Sequence, residues 1–177
     1  EIQNSDHHLR FYEIEISEAT QPPQVSVNNQ FGDFNFSLTQ PKYLAVPTHK
    51  LSPGDHEEPQ DLDHFMCYDI SESESLGELV NLEDQFDLEQ TSEPSPTAVV
   101  RPSLLCNPVK KTLEDGEGDG AGIHHQDKLL TCYELEAEDE LTEYSVTIDN
   151  QFGPEEFDTK EASLLCVPSA KTDREYE

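Results

Sequence analysis

The chain has 177 residues, with 39 Asp and Glu against 10 Lys and Arg, a formal charge of −29 and a pI near 4.2. This balance excludes nucleic acid as a partner, because phosphate binding needs clustered basic charge, and it disfavours anionic membranes. No apolar run approaches the ~20 residues of a membrane span, so membrane insertion is not expected.

The elements come in three copies. Copy one opens with HLRFYEIE from His8, where Tyr12 and Ile14 alternate with charged residues. Period two with aromatic and β-branched residues marks a half-buried strand. VSVNNQFG follows from Val25, with Val25 and Val27 in register, and then Phe34, Phe36 and Leu38 alternate. KYLAVPTHK from Lys42 closes the copy, with Pro47 expected to end its strand because proline cannot donate to a ladder. A polar linker, LSPGDHEEPQDLD, spans 51–63.

Copy two repeats the landmarks as HFMCYDIS from His64, VNLEDQFD from Val80 and SLLCNPVKK from Ser103. GELVNLEDQFDLEQ from Gly77 has a helical period, but its alignment with strands in the other copies overrides that reading. EQTSEPSPTAVV from Glu89 is an insertion expected to form a surface loop. A Gly-rich acidic linker fills 112–128, and copy three reads LLTCYELE from Leu129, VTIDNQFG from Val146 and SLLCVPSAK from Ser163. Pro108 and Pro168 match Pro47. Gly32, Asp87 and Gly153 follow the Gln-Phe corners, where a left-handed residue is expected. The predicted fold is therefore all-β, three tandem small β-sandwich-like modules at 1–50, 64–111 and 129–177.

Cysteines come and go in pairs between the copies. Copies two and three hold Cys67 with Cys106 and Cys132 with Cys166, while copy one has Phe11 and Ala45 at the two places. Spacing alone leaves three connectivities open. Joint replacement points to partners in space, so the expected bridges are Cys67–Cys106 and Cys132–Cys166. Each closes a loop of roughly 35–40 residues, worth about 4 kcal/mol in the loop-entropy model. Phe11 with Ala45 reads as a large-plus-small pair filling the volume of the absent bridge. Four reduced core thiols are the alternative; zinc is disfavoured because no CxxC spacing occurs. Persistent disulfides require an oxidising compartment, and a chain that opens on Glu1 fits a mature secreted product, so a secreted or cell-surface location is expected.

Cys-Tyr, then Asp/Asn-Gln-Phe-Gly, then Leu-Leu-Cys-x-Pro resembles a repeat of secreted prokaryotic proteins of uncharacterised function. Copy two carries the pattern at Cys67, Tyr68, Gln85, Phe86, Leu105, Cys106 and Pro108. Copy three carries it at Cys132, Tyr133, Gln151, Phe152, Gly153, Leu165, Cys166 and Pro168. Copy one departs at both cysteines, and Asp87 replaces the glycine of copy two. The resemblance implies an extracellular β-domain and brings no catalytic residues.

Chemistry-bearing motifs are sparse. Asp115, Glu117 and Asp119 followed by Gly120 resemble the start of an EF-hand loop, although Gln126 stands at position twelve and no helices flank it. They are the candidate metal site, with calcium the possible cofactor. His7, His8, His64, His124 and His125 lie near repeat starts, and adjacent histidines on a strand point to opposite faces, so they read as surface residues. Asn35-Phe36-Ser37 is the one glycosylation sequon. No GxSxG, HExxH or phosphate loop occurs, and no enzymatic activity is expected. Seven of the ten basic residues (Lys42, Lys50, Arg101, Lys110, Lys111, Lys160 and Lys171) lie in or beside the third landmark. They face a neighbouring unit or, as the favoured reading, pair locally within each repeat.

The expected function is that of an extracellular structural or adhesive protein, a self-assembling filament or surface-layer subunit forming head-to-tail homo-oligomers, since units that stack within a chain can stack between chains. The alternative is an extracellular carbohydrate- or protein-binding module.

Overall fold

The computed structural model describes residues 5–16, 24–52, 56–82, 96–110, 122–136 and 143–172. Among them are eleven strands and no helix. Copy one supplies β1 (His8–Glu13), β2 (Val25–Asn29), β3 (Gly32–Phe36) and β4 (Leu38–Ser52). Copy two supplies β5 (His64–Ile70), β6 (Glu78–Val80) and β7 (Thr97–Val109). Copy three supplies β8 (Lys128–Glu136), β9 (Ser145–Asp149), β10 (Glu155–Asp158) and β11 (Leu164–Lys171).

The all-β class holds, and the copies are joined more closely than modules in a row. Every strand belongs to one antiparallel sheet. Its backbone is a meander of six strands, β1-β4-β5-β7-β8-β11, in which the first and last long strands of each copy pair (β1 with β4, β5 with β7, β8 with β11) and each copy then pairs with the next.

Both junctions between copies use one register. Across β4 and β5, Ala45 faces Phe65; across β7 and β8, Cys106 faces Leu130. In each case the residue at the second cysteine position opposes the one two places before the first cysteine position. Side-chain period two makes this register restrictive, because a one-residue slip would turn every apolar residue to the other face.

The two faces bury different residues. One gathers Phe11, Ala45, Phe65, Cys67, Leu104, Cys106, Cys132 and Cys166 into a single cluster. On the other face the β2–β3 hairpin lays Val27 and Phe36 against Leu105, Leu129 and Tyr68, while Val99, Tyr133 and Val167 form a third cluster. Each fully buried Leu or Val contributes about 1.5–3 kcal/mol.

The corner hairpins are exchanged. The β2–β3 hairpin of copy one pairs with the end of β11 in copy three, Val27 with Lys171 and Asn28 with Ala170. The β9–β10 hairpin of copy three pairs with the end of β4 in copy one, Ile148 with Lys50 and Asp149 with His49. In copy two β6 pairs with β7 of its own copy. Copy one, which has no bridge, is thus clasped by both other copies.

Two expectations are corrected. Pro47, Pro108 and Pro168 do not end their strands but lie inside β4, β7 and β11. In each, the ring nitrogen points away from the partner strand of its own copy, to an edge where pairing has lapsed: β4–β5 pairing stops at Ala45 and β7–β8 pairing at Cys106. No ladder bond is lost. The segment Thr97–Val100, expected in a surface loop, begins β7, because Ala98 and Val99 pair with β6 on one side and β8 on the other. The rest of that insertion and the corner at Asp87 lie outside the described residues. Pro41 and Pro102 sit at register shifts in β4 and β7, the bulged positions where a missing donor is tolerated.

Candidate functional site

The cysteines are placed by the meander. Cys67 on β5 lies directly opposite Cys106 on β7 and is bonded to it; Cys132 on β8 is likewise bonded to Cys166 on β11. Phe11 lies directly opposite Ala45 across β1 and β4, at the place of the third bridge. The geometry is that of facing residues in a non-hydrogen-bonded pair, where side chains approach most closely.

The Asn-Gln-Phe-Gly corner, which the sequence presents as a turn, is a clamp on a distant tyrosine. Asn29 Nδ2 donates to the Tyr133 hydroxyl at 2.8 Å and to Ser169 Oγ at 3.1 Å. Its Oδ1 accepts from Phe31 N–H, and the Phe31 ring meets Tyr133 edge-on at 4.9 Å. The second clamp repeats these parts. Asn150 Nδ2 donates to the Tyr12 hydroxyl at 3.0 Å, Oδ1 accepts from Phe152 N–H, and the Phe152 ring meets Tyr12 edge-on at 4.9 Å. Tyr12 in turn donates to Glu155 Oε1 at 2.9 Å. The asparagine holds its own turn through an N–H two residues on, and the glycine that follows has positive φ, 130° at Gly32 and 100° at Gly153, as the corner requires. Burial raises the Tyr133 pKa, with the Asn29 hydrogen bond acting against it. One signal in the sequence pointed this way: copies one and three share the corner Asn, whereas copy two has Asp84.

Histidines and carboxylates converge elsewhere. A polar cleft of about 630 Å³ opens between the end of β4, residues 58–64 and the corner 149–151. His49, His64, His124, Asp61, Asp63 and Asp149 are on its wall, and among the described lining residues there is no Phe or Tyr. Asp63, 5 % exposed, accepts the backbone N–H groups of His124 at 2.7 Å and His125 at 2.8 Å. It ties the two connecting segments together. His64 Nε2 lies 3.1 Å from Gln151 Oε1. Nearby, His56 Nδ1 is 3.1 Å from Asp6, and its ring meets His8 at 5.0 Å. Burial, helped by the charges of His56 and Lys50, lowers the His8 pKa, against a smaller opposing effect of Asp6.

Among the described residues no group of three or more His, Cys, Asp or Glu is arranged to hold a metal ion. The candidate calcium residues Asp115, Glu117 and Asp119 lie outside the described residues.

Two basic residues of the third landmark, Lys42 and Arg101, join copies to each other. Lys42 of copy one reaches Asp69 of copy two at 3.3 Å. Burial weighs against the charged form of Lys42, but the hydrogen bond and charge of Asp69 prevail and raise its pKa. Arg101 of copy two grips Glu134 of copy three with two bonds, at 2.9 and 3.1 Å, and Glu134 raises its pKa. For these two residues, pairing within the repeat, the favoured expectation, is replaced by pairing across the junction, because Asp69 after Tyr68 and Glu134 after Tyr133 are acidic and lie beside the preceding copy.

No described helix is long and apolar enough to cross a membrane. The family model described as a repeat of unknown function (DUF7450) matches residues 8–168. No curated protein matches the chain, and no solved structure does.

Proposed function

Because the chain belongs to the family described as a repeat of unknown function (DUF7450), we infer its role from its architecture: an extracellular structural protein, a self-assembling filament or surface-layer subunit without enzymatic activity. One observation carries this reading. Equivalent units extend one sheet edge to edge, with the same register at both junctions, Ala45 to Phe65 and Cys106 to Leu130. A unit that joins its successor by strand pairing is built for extension, and extension between chains gives a filament. The two bridges fit a secreted or surface location, and the acidic surface suits a medium whose salt screens its charge.

The test is the assembly state of the full chain by electron microscopy and sedimentation, across protein concentration, with and without salt and calcium. Assemblies that grow with concentration support the reading. A protein that is monomeric throughout overturns it.

The cleft near His64 and Asp63 supports the second reading, a module that binds a carbohydrate or protein ligand. Among the described residues its wall lacks the aromatic platform that sugar rings stack on, and for that reason we rank it behind the first. Retention on a polysaccharide or protein array, lost on His64→Ala, would reverse the order.

A further inference from the structure

The outer edge of β1 and the edge of β11 at residues 164–169 pair with no strand among the described residues. These two edges are the missing halves of one more junction. β1 is the first long strand of its copy, as β5 and β8 are of theirs; β11 is the last, as β4 and β7 are.

We propose that β11 of one molecule pairs antiparallel with β1 of a second copy of this chain, in the register of the internal junctions: Cys166 opposite Leu9 and Leu164 opposite Phe11 of the partner molecule. The proposal rests on the self-assembly reading above and names its interface.

Hydrogen bonding permits this register. Leu135 N–H donates to the Ser163 carbonyl, so Ser163 and Leu165 bond toward β8, whereas Leu164 and Cys166 turn their N–H and C=O outward. On β1, Ile14 N–H donates to the Lys42 carbonyl, so Leu9, Phe11 and Glu13 turn theirs outward. The outward residues of one strand meet the outward residues of the other.

Exposure marks the same place. Leu104, at the internal junction, is 3 % exposed; Leu164, its counterpart on β11, is 38 % exposed. The occupied end of β11 is no obstacle. Along β4, residues 38–45 take β5 and residues 49–52 take the β9–β10 hairpin. On β11 the β2–β3 hairpin takes residues 170–171, and the stretch equivalent to that facing β5 remains open. An open edge with this pattern is a template for strand addition. β11 has no acidic residue and β1 has one, so these strands avoid most of the repulsion that a charge of −29 brings.

One contact makes this junction weaker than the internal ones. Glu13 follows Tyr12 as Glu134 follows Tyr133. At the counterpart of Arg101, five residues before the cysteine, copy three has Glu161. The Arg101–Glu134 pair is thus replaced by two carboxylates, both exposed, and association is expected to strengthen with salt.

Sedimentation velocity of the full chain over a range of protein and salt concentrations tests the interface. Wild type is expected to associate, more so in salt. Leu164→Pro removes an outward donor and no internal bond; it is expected to abolish association and leave the melting temperature unchanged. Glu161→Arg and Glu13→Arg, each alone, are expected to tighten association about two- to fivefold, the worth of one exposed ion pair, and the double variant to lose that gain. If wild type associates but all three substitutions leave it unchanged, the interface is wrong and the self-assembly reading stands. If wild type is monomeric under every condition, both fall.

Discussion

The Asn29 side chain and the Tyr133 hydroxyl, 104 residues apart in sequence, meet at 2.8 Å. The contact is reciprocal at the level of the copies: Asn29 of copy one clamps Tyr133 of copy three, and Asn150 of copy three clamps Tyr12 of copy one. Two copies that are not neighbours in the meander are locked together by exchanging hairpins. Unfolding one copy must therefore strip a hairpin from the other, and a single cooperative transition is expected.

Tyr133→Phe tests the buried clamp. The substitution leaves the Asn29 donor with only Ser169 and is expected to cost about 1–2 kcal/mol. Asn29→Ala should cost more, since it also removes the bond to Phe31 N–H. A double-mutant cycle by urea denaturation measures the coupling; additive losses would show that the hydroxyl contact contributes nothing of its own.

Copy one should accept the bridge it lacks. Phe11 and Ala45 face each other as Cys67 faces Cys106, so Phe11→Cys with Ala45→Cys is expected to form a third disulfide. The loop-entropy model gives about 4 kcal/mol, less the loss of Phe11 packing against Tyr43. Thiol titration and the melting temperature under oxidising and reducing conditions check it. A double variant with two free thiols after oxidation contradicts the equivalence of the three sites.

Equivalent leucines should differ in cost. Leu104→Ala opens a cavity in the bridge cluster and is expected to destabilise the monomer by about 2–5 kcal/mol. Leu164→Ala, at an exposed edge, is expected to change monomer stability by less than about 0.5 kcal/mol. Denaturation at a protein concentration too low for association separates the two.

Stability should also depend on His8. Its folded pKa lies below the unfolded one, so the native state binds fewer protons. The associated stability is present above about pH 6.5 and is lost as pH falls through the folded value. The melting temperature is expected to drop between pH 7 and pH 5, and His8→Gln to flatten that part of the profile. An unchanged slope in the variant would mean that other groups carry the effect.

Much of this arrangement was legible in the chain itself. The joint absence of two cysteines in copy one is enough to pair the other four, because facing positions on neighbouring strands change together. The alternation around Tyr12, Tyr68 and Tyr133 fixes the strands, since a half-buried strand must present one face at a time. Other features were not legible. Pro47 looks like a strand end because its sequence cannot reveal that the neighbouring strand has already stopped. Lys42 and Arg101 read as partners within a repeat rather than across a junction, because the ion pair is set by which copy lies alongside.

The sequence by itself determined where most of the strands lie, though not all of their ends, together with the bridges, as consequences of period-two patterning and of local equivalence between copies. Only the tertiary structure decided that the three copies share one sheet and that copies one and three exchange hairpins. The hairpin exchange joins residues more than a hundred positions apart, and a backbone hydrogen bond carries no mark in the sequence of the strand it will choose.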